Sequence, residues 1–166
     1  MDDAQTRAIA TSHPHYYTTM VDWAERFDAQ IFLHTADREW VMRKSPRIRF
    51  WEGTTLSLWD GLTLINCSGH FEGGAVLHWP AGANGKGALL TGDIIQVVQD
   101  RRYVSFMRSY PNLIPLGPVA IRRIVERVEP FSFEQIYGGW WQANVLADAK
   151  AAVARSAERY LRAIGT

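Results

Sequence analysis

Apolar positions along this chain change their rhythm twice, and the changes divide it into three parts. The stretch "AIATS" reads as a short strand. Thr18 or Thr19 can then cap a helix in which Met20, Val21, Trp23, Ala24 and Phe27 recur at helical spacing. "QIFLH" is a compact apolar run of strand type, and "ADREWVM" reads as a short helix or turn. From there the period falls to two. Leu56 and Leu58, then Leu62 and Leu64, flank Asp60-Gly61, which predicts a two-residue hairpin. "GAVLHWP", "GALLTGDI" and "RRYVSF" are three further strands, so the middle third reads as a run of antiparallel-type strands. The last third returns to helix. Pro118 starts one helix whose apolar face is Ile121, Ile124, Val125 and Val128, with Arg122, Arg123, Glu126 and Arg127 solvated and Pro130 ending it. A terminal helix is expected from Asn144, burying Val145, Ala149, Val153, Tyr160, Leu161 and Ile164. The pattern predicts an α+β fold with helices packed on sheet.

Length and composition narrow this picture. With 166 residues and no repeat or linker, residues 1–166 read as a single domain. A net charge of +1, with 21% charged residues, gives no electrostatic case for nucleic acid or membrane, so the expected partner is a small-molecule substrate. Cys67 is the only cysteine, which leaves no intrachain disulfide and no thiolate cluster for a metal; it reads as a buried small hydrophobe. No leader-like pattern opens the sequence and no segment is long enough to span a bilayer, so a cytoplasmic location is expected. Seven tryptophans hint at an aromatic-lined pocket or interface.

The chemistry lies with the histidines. His13 and His15 are two apart in "TSHPHYY", in a strand-to-helix turn; on an extended chain both rings would leave one face. His70 sits in "SGHFEGG", where glycines let the backbone fold tightly around an imidazole. Asp93 closes the strand "LLTGD", a usual address for a ligand-binding carboxylate. His34 and His78 lie in strands and read as structural. Three neutral imidazoles and a carboxylate suit Zn²⁺, while two histidines and the carboxylate also make the facial set of non-haem Fe(II).

The order of these motifs, H-x-H in a turn, a strand closing on His34, a hairpin, G-H-x-x-G-G and T-G-D, resembles the metallo-β-lactamase superfamily from about residue 7 to the C-terminus. The resemblance implies an αβ/βα sandwich with a metal site at its edge, usually zinc, and hydrolysis by a metal-bound hydroxide. It assigns His13, His15, His70 and Asp93 as ligands of one metal. The family's H-x-H-x-D-H motif departs at Tyr17 and Thr18, which replace ligands of a second metal. Its last histidine is absent from "YGGWW", where Trp140 and Trp141 could plug the empty position. A mononuclear site is therefore expected, with zinc first and iron or manganese as alternatives. Tyr17 and Asp93 are the expected catalytic residues, although a phenol with a pKa near 10 is a poor base at neutral pH. Family members carry a β-rich segment before H-x-H, whereas only twelve residues precede His13. The first layer thus reads as N-terminally truncated, and a homodimer is expected to cover the exposed sheet.

Three functions remain open at this level. One is a metal-dependent hydrolase acting on an unidentified ester, thioester, amide or phosphoester. Another is a non-catalytic binding or assembly protein with a relic site, and a third is a mononuclear iron oxygenase of persulfide dioxygenase type. Tyr103, Phe106, Met107 and Tyr110 are expected to border the pocket.

Overall fold

A computed structural model describes residues 6–165; residues 1–5, part of the stretch read above for a leader, lie outside it. In chain order the elements are β1 (Ala8–Ala10), a 3-10 turn (Pro14–Tyr16), α1 (Met20–Phe27), β2 (Gln30–His34), a second 3-10 turn (Thr35–Trp40), β3 (Ile48–Trp51), β4 (Thr55–Ser57), β5 (Thr63–Asn66) and β6 (Ala75–Trp79). There follow a single tight turn α2 (Gly82–Gly85), β7 (Ala88–Gly92), β8 (Gln96–Val97), β9 (Val104–Ser105), β10 (Met107–Ser109), β11 (Ile114–Pro115), α3 (Pro118–Val128), β12 (Gln135–Gly138), β13 (Asn144–Val145) and α4 (Ala149–Ala163).

Two sheets form the inner layers. The larger has the order β13-β12-β7-β6-β5-β4 and the smaller β1-β2-β3. On one face of the large sheet Ile65, Val76, Leu89, Ile136 and Val145 meet Ile121, Ile124 and Val128 of α3 and Ala149, Ala152 and Val153 of α4 in the main core. On its other face Leu64 and Ala75 pack with Trp51 of β3, backed by Phe32 and Leu77. Met20, Val21 and Ala24 of α1 cover the outside of the small sheet at Ile31 and Leu33. The order of layers is helix, sheet, sheet, helices.

The hairpin forms as predicted: Leu62 N–H donates to the Trp59 carbonyl at 3.0 Å across Asp60 and Gly61, both at positive φ (54° and 76°). The middle third is the antiparallel run expected, with β4 to β7 pairing in chain order and β8 pairing with β9. Outside it the pairing changes: β12 joins β7 in parallel, and β1, β2 and β3 are parallel throughout. Such pairings join segments distant in sequence, which local alternation does not encode. The terminal helix starts at Ala149 rather than Asn144. Asn144 and Val145 pair with Tyr137 and Ile136 as an edge strand, so Val145 is buried by sheet geometry, and Asp148 at φ 54° turns the chain into the helix.

Leu56, Leu64, Leu77, Leu90 and Tyr137 stand in register across five strands on the face opposite α3 and α4. The small sheet covers one end of this row, while Leu90 stays exposed at the rim of a groove beside Ala10 and Ser12. No described helix is long and apolar enough to cross a membrane. Ile124 is fully buried where α3 meets the sheet. Ile124→Ala is expected to cost about 2–5 kcal/mol, read from urea unfolding with an unchanged m-value.

Candidate metal centre

Three segments deliver the site. His13, with extended backbone, precedes a 3-10 turn in which Pro14 takes the first position and Tyr17 N–H bonds the Pro14 carbonyl at 3.0 Å. The two imidazoles meet because of this turn, not because they share the face of a strand. His70 comes from the loop between β5 and β6, where Gly74 N–H bonds Phe71 O and Asn66 Nδ2 bonds Glu72 O. Asp93 directly follows β7. Gly92 (φ 52°) makes that junction possible, since a Cβ there would overlap the Ser12 side chain and force the H-x-H loop away from Asp93.

Ligand atoms of His13, His15, His70 and Asp93 all lie within 4.8 Å of one another. His13 Nε2 stands 3.2 Å from His15 Nδ1 and 3.7 Å from Asp93 Oδ2. These separations bracket the ligand–ligand edge of about 3.3 Å that tetrahedral Zn–N bonds of about 2.0–2.1 Å produce. His13 is wholly buried, His70 and Asp93 nearly so, and His15 faces solvent. His70 Nδ1–H donates to the Met107 carbonyl at 3.1 Å, which turns the Nε2 lone pair toward the cluster; Ser12 Oγ lies 2.9 Å from His13 Nδ1. Buried His70 Nε2 and Asp93 Oδ1 have no hydrogen-bond partner. Buried polar atoms are normally paired, and two orphans on residues of one His/Asp cluster fit a cation.

Burial first, then the neighbouring His70 and His15, push the His13 pKa down to about 3. His70 is also lowered by burial, opposed by its bonds to the backbone of Met107 and Arg108 and by Asp93. Burial thus favours neutral His13 and His70, the form in which an imidazole can bind a metal. Burial raises the Asp93 carboxyl, partly offset by His70, His15 and the Trp140 indole N–H.

The surrounding residues sort clearly. Phe71 lies within 5.6 Å, centre to centre, of all three rings. Tyr110 leans on His70 and donates its hydroxyl to Asp93 O at 3.0 Å, and Met107 supplies the carbonyl for His70. Phe106 instead fills the main core, and Tyr103 lines a separate groove with Arg159. Tyr17 is buried among Met20, Val21, Ile31 and Leu33, where burial and Asp37 raise its pKa further. Its neighbour Tyr16 packs edge-on against His13, with ring centres 4.8 Å apart. A Cβ on Gly139 would stand 2.8 Å from the Tyr16 hydroxyl and 3.7 Å from Asp93 Oδ1. The space beside Asp93 is therefore bounded by Tyr16, a residue the sequence reading missed because the motif alignment points to Tyr17. Trp141 is fully in solvent and plugs nothing; Trp140 is mostly exposed with its N–H near Asp93. His34 is structural, accepting from Ala36 N–H and donating to Gly53 O, and His78 donates to Ser132 O. Cys67 is fully buried, its thiol pushed up to about 12 by desolvation.

The described residues thus form a helix–sheet–sheet–helix sandwich with a three-histidine, one-aspartate cluster at its edge. The solved structures agree: the chain has the metallo-β-lactamase fold. The metallo-β-lactamase SMB-1 in complex with mercaptoacetic acid superposes with a TM-score of 0.63 at 16% identity, covering 95% of this chain and 73% of that one. A B3 metallo-β-lactamase with an active-site glutamic acid gives 0.60 at 14% identity, with 95% and 68% covered. TTHA1623 in a di-iron-bound form gives 0.54 at 21% identity, with 80% and 69% covered. No family model matches the chain. In sequence it is 52% identical over 160 residues to the uncharacterised protein YmaE of Bacillus subtilis (strain 168), covering 96% of this chain and 58% of that protein. The chain thus spans a little over half the length of that relative.

The depressed His13 pKa sets a pH dependence for metal-free protein. Its folded value lies below the unfolded value of about 6.5, so the unfolded state binds the extra proton, and stability present above pH 6.5 is lost as pH falls toward 3. Urea unfolding after chelation is expected to show a loss of up to about 1.4 kcal/mol per pH unit from this group, absent in His13→Gln.

Proposed function

We propose that this chain is a metal-dependent hydrolase with one metal ion held by His13, His15, His70 and Asp93. The observation that carries the reading is the convergence of ligand atoms from His13, His15, His70 and Asp93 within 4.8 Å, with buried His70 Nε2 and Asp93 Oδ1 lacking partners. Zinc suits three neutral imidazoles and a carboxylate best, with iron or manganese as the alternatives. A metal there supplies Lewis acidity and activation of water at neutral pH. The substrate is a small ester, thioester, amide or phosphoester.

The protein residues divide the remaining work. Met107 and Ser12 set the orientation of His70 and His13, and Tyr110 steadies the Asp93 backbone. Phe71 keeps water from the inner side of the rings. Tyr16, not Tyr17, presents a hydroxyl beside Asp93, raised in pKa by burial and by that carboxylate and so held protonated. It is placed to donate a hydrogen bond to a substrate oxygen that gains negative charge. A non-catalytic binding protein is the second reading, supported by the burial of Tyr17 at the position where the H-x-H-x-D-H motif of the resembling family has its aspartate.

Elemental analysis of protein purified without added metal tests the centre: about one equivalent is expected, falling below about a tenth in His70→Ala. Less than a tenth in the wild type, with no uptake on titration, removes the proposal. For Tyr16→Phe, unchanged metal content with kcat on 4-nitrophenyl esters or bis(4-nitrophenyl) phosphate lowered about 10²-fold is expected. Full metal occupancy without turnover of any of these esters favours the binding protein.

A further inference from the structure

A cleft of about 400 Å³ opens beside the exposed His15 and the His70 ring. The second 3-10 turn contributes Asp37, Glu39 and Trp40 to its wall, and the His70 loop contributes Phe71 and Glu72. Three carboxylates face one guanidinium, Arg108, whose Nη1 is committed to the carbonyls of Gly69 and His70. The wall therefore carries a net negative field.

Asp37 is the informative group. It is 1% exposed, its Oδ1 accepts from Gly73 N–H at 2.8 Å, and its buried Oδ2 has no hydrogen-bond partner. Burial raises its carboxyl, the Gly73 N–H and His34 oppose this, and Glu72 and Glu39 add to it. A buried carboxylate oxygen with neither a donor nor an opposite charge beside it is costly unless a ligand supplies one or the other. A metal ion does not answer the need, since among the described residues only His13, His15, His70 and Asp93 bring their ligand atoms together. The acids instead flank a longer surface. Trp40, half exposed, stands edge-on to Phe71 with centres 5.7 Å apart, and aromatic rings beside carboxylates are the recognition chemistry of an organic cation.

We propose that this cleft is a subsite for the cationic group of the substrate, an ammonium or quaternary ammonium held by Asp37, Glu39 and Glu72 against Trp40, with the reacting bond placed toward His15 and His70. The second half of this statement rests on the hydrolase reading; the cation subsite does not. Positive charge in the substrate is the specificity it adds.

Isothermal titration calorimetry of the protein as purified separates the two. The probes are benzyltrimethylammonium, benzyl alcohol and benzenesulfonate; the first has no lone pair and cannot ligate a metal, so its binding is read whatever the metal content. Benzyltrimethylammonium is expected to bind about tenfold or more tighter than the other two at low ionic strength, weakening with added salt. Glu39→Gln with Glu72→Gln, both exposed, is expected to remove most of that preference, and Trp40→Ala a further part. Asp37→Asn keeps the acceptor for Gly73 and serves as the buried test. Benzenesulfonate binding as tightly as the cation, no measurable binding of the cation, or an unchanged preference in the neutralised variants would overturn the subsite. Absence of metal with retained cation binding would overturn the hydrolase reading and leave the subsite standing.

Discussion

Three imidazole rings and a carboxylate are packed together at the edge of the sheets, with His13 wholly buried, His70 and Asp93 nearly so, and His15 open to solvent. The charged form of His13 is excluded by burial and by the two histidines beside it, which brings its pKa to about 3. The four groups bring their ligand atoms within 4.8 Å of one another, and His13 Nε2 and His15 Nδ1 stand 3.2 Å apart. Such a gathering of polar groups needs a scaffold that holds each ring from behind. Met107, Ser12, Tyr110 and Phe71 provide that support from separate elements.

The fold follows from the need to bring those elements together. The small parallel sheet carries the H-x-H turn to the rim, the large sheet carries Asp93 on the end of β7, and the loop between β5 and β6 closes over both with His70. The approach at Gly92 and Ser12 is the tightest of these joints, because a single Cβ there would separate the first ligand from the last. Stability and site geometry therefore meet in the same loop contacts, while α3 and α4 bury the opposite face of the sheet and stay clear of the chemistry.

The neighbourhood of Asp93 shows how one scaffold can be turned toward different work. Tyr17 and Thr18 stand at motif positions that hold a second metal in the resembling family, yet Tyr17 points into the core and Tyr16 takes the place beside Asp93. Gly139 leaves room for that hydroxyl, so the tyrosine and the glycine form one adaptation. On the other side of the cluster, Asp37, Trp40 and Phe71 shape a cleft of different polarity. The His/Asp cluster and the acidic cleft beside it are thus built from different short segments around the same rings.

The sequence by itself determined the local elements whose period or turn chemistry is strong: α1, α3, the Asp60-Gly61 hairpin, the strands β5 to β7, and the turns that hold His13, His15, His70 and Asp93. These are set by neighbours a few residues away, which a linear pattern records. Only the tertiary structure decided the parallel pairings of β1 with β2 and of β7 with β12, because partners far apart leave no periodic mark on either strand. It also decided that Val145 belongs to an edge strand, that Tyr16 rather than Tyr17 packs on His13, and that Asp37 is buried in the cleft wall with one carboxylate oxygen unpaired. Each of these turns on which way a side chain leaves a short irregular turn, and that direction is set by packing against elements the local sequence does not contain.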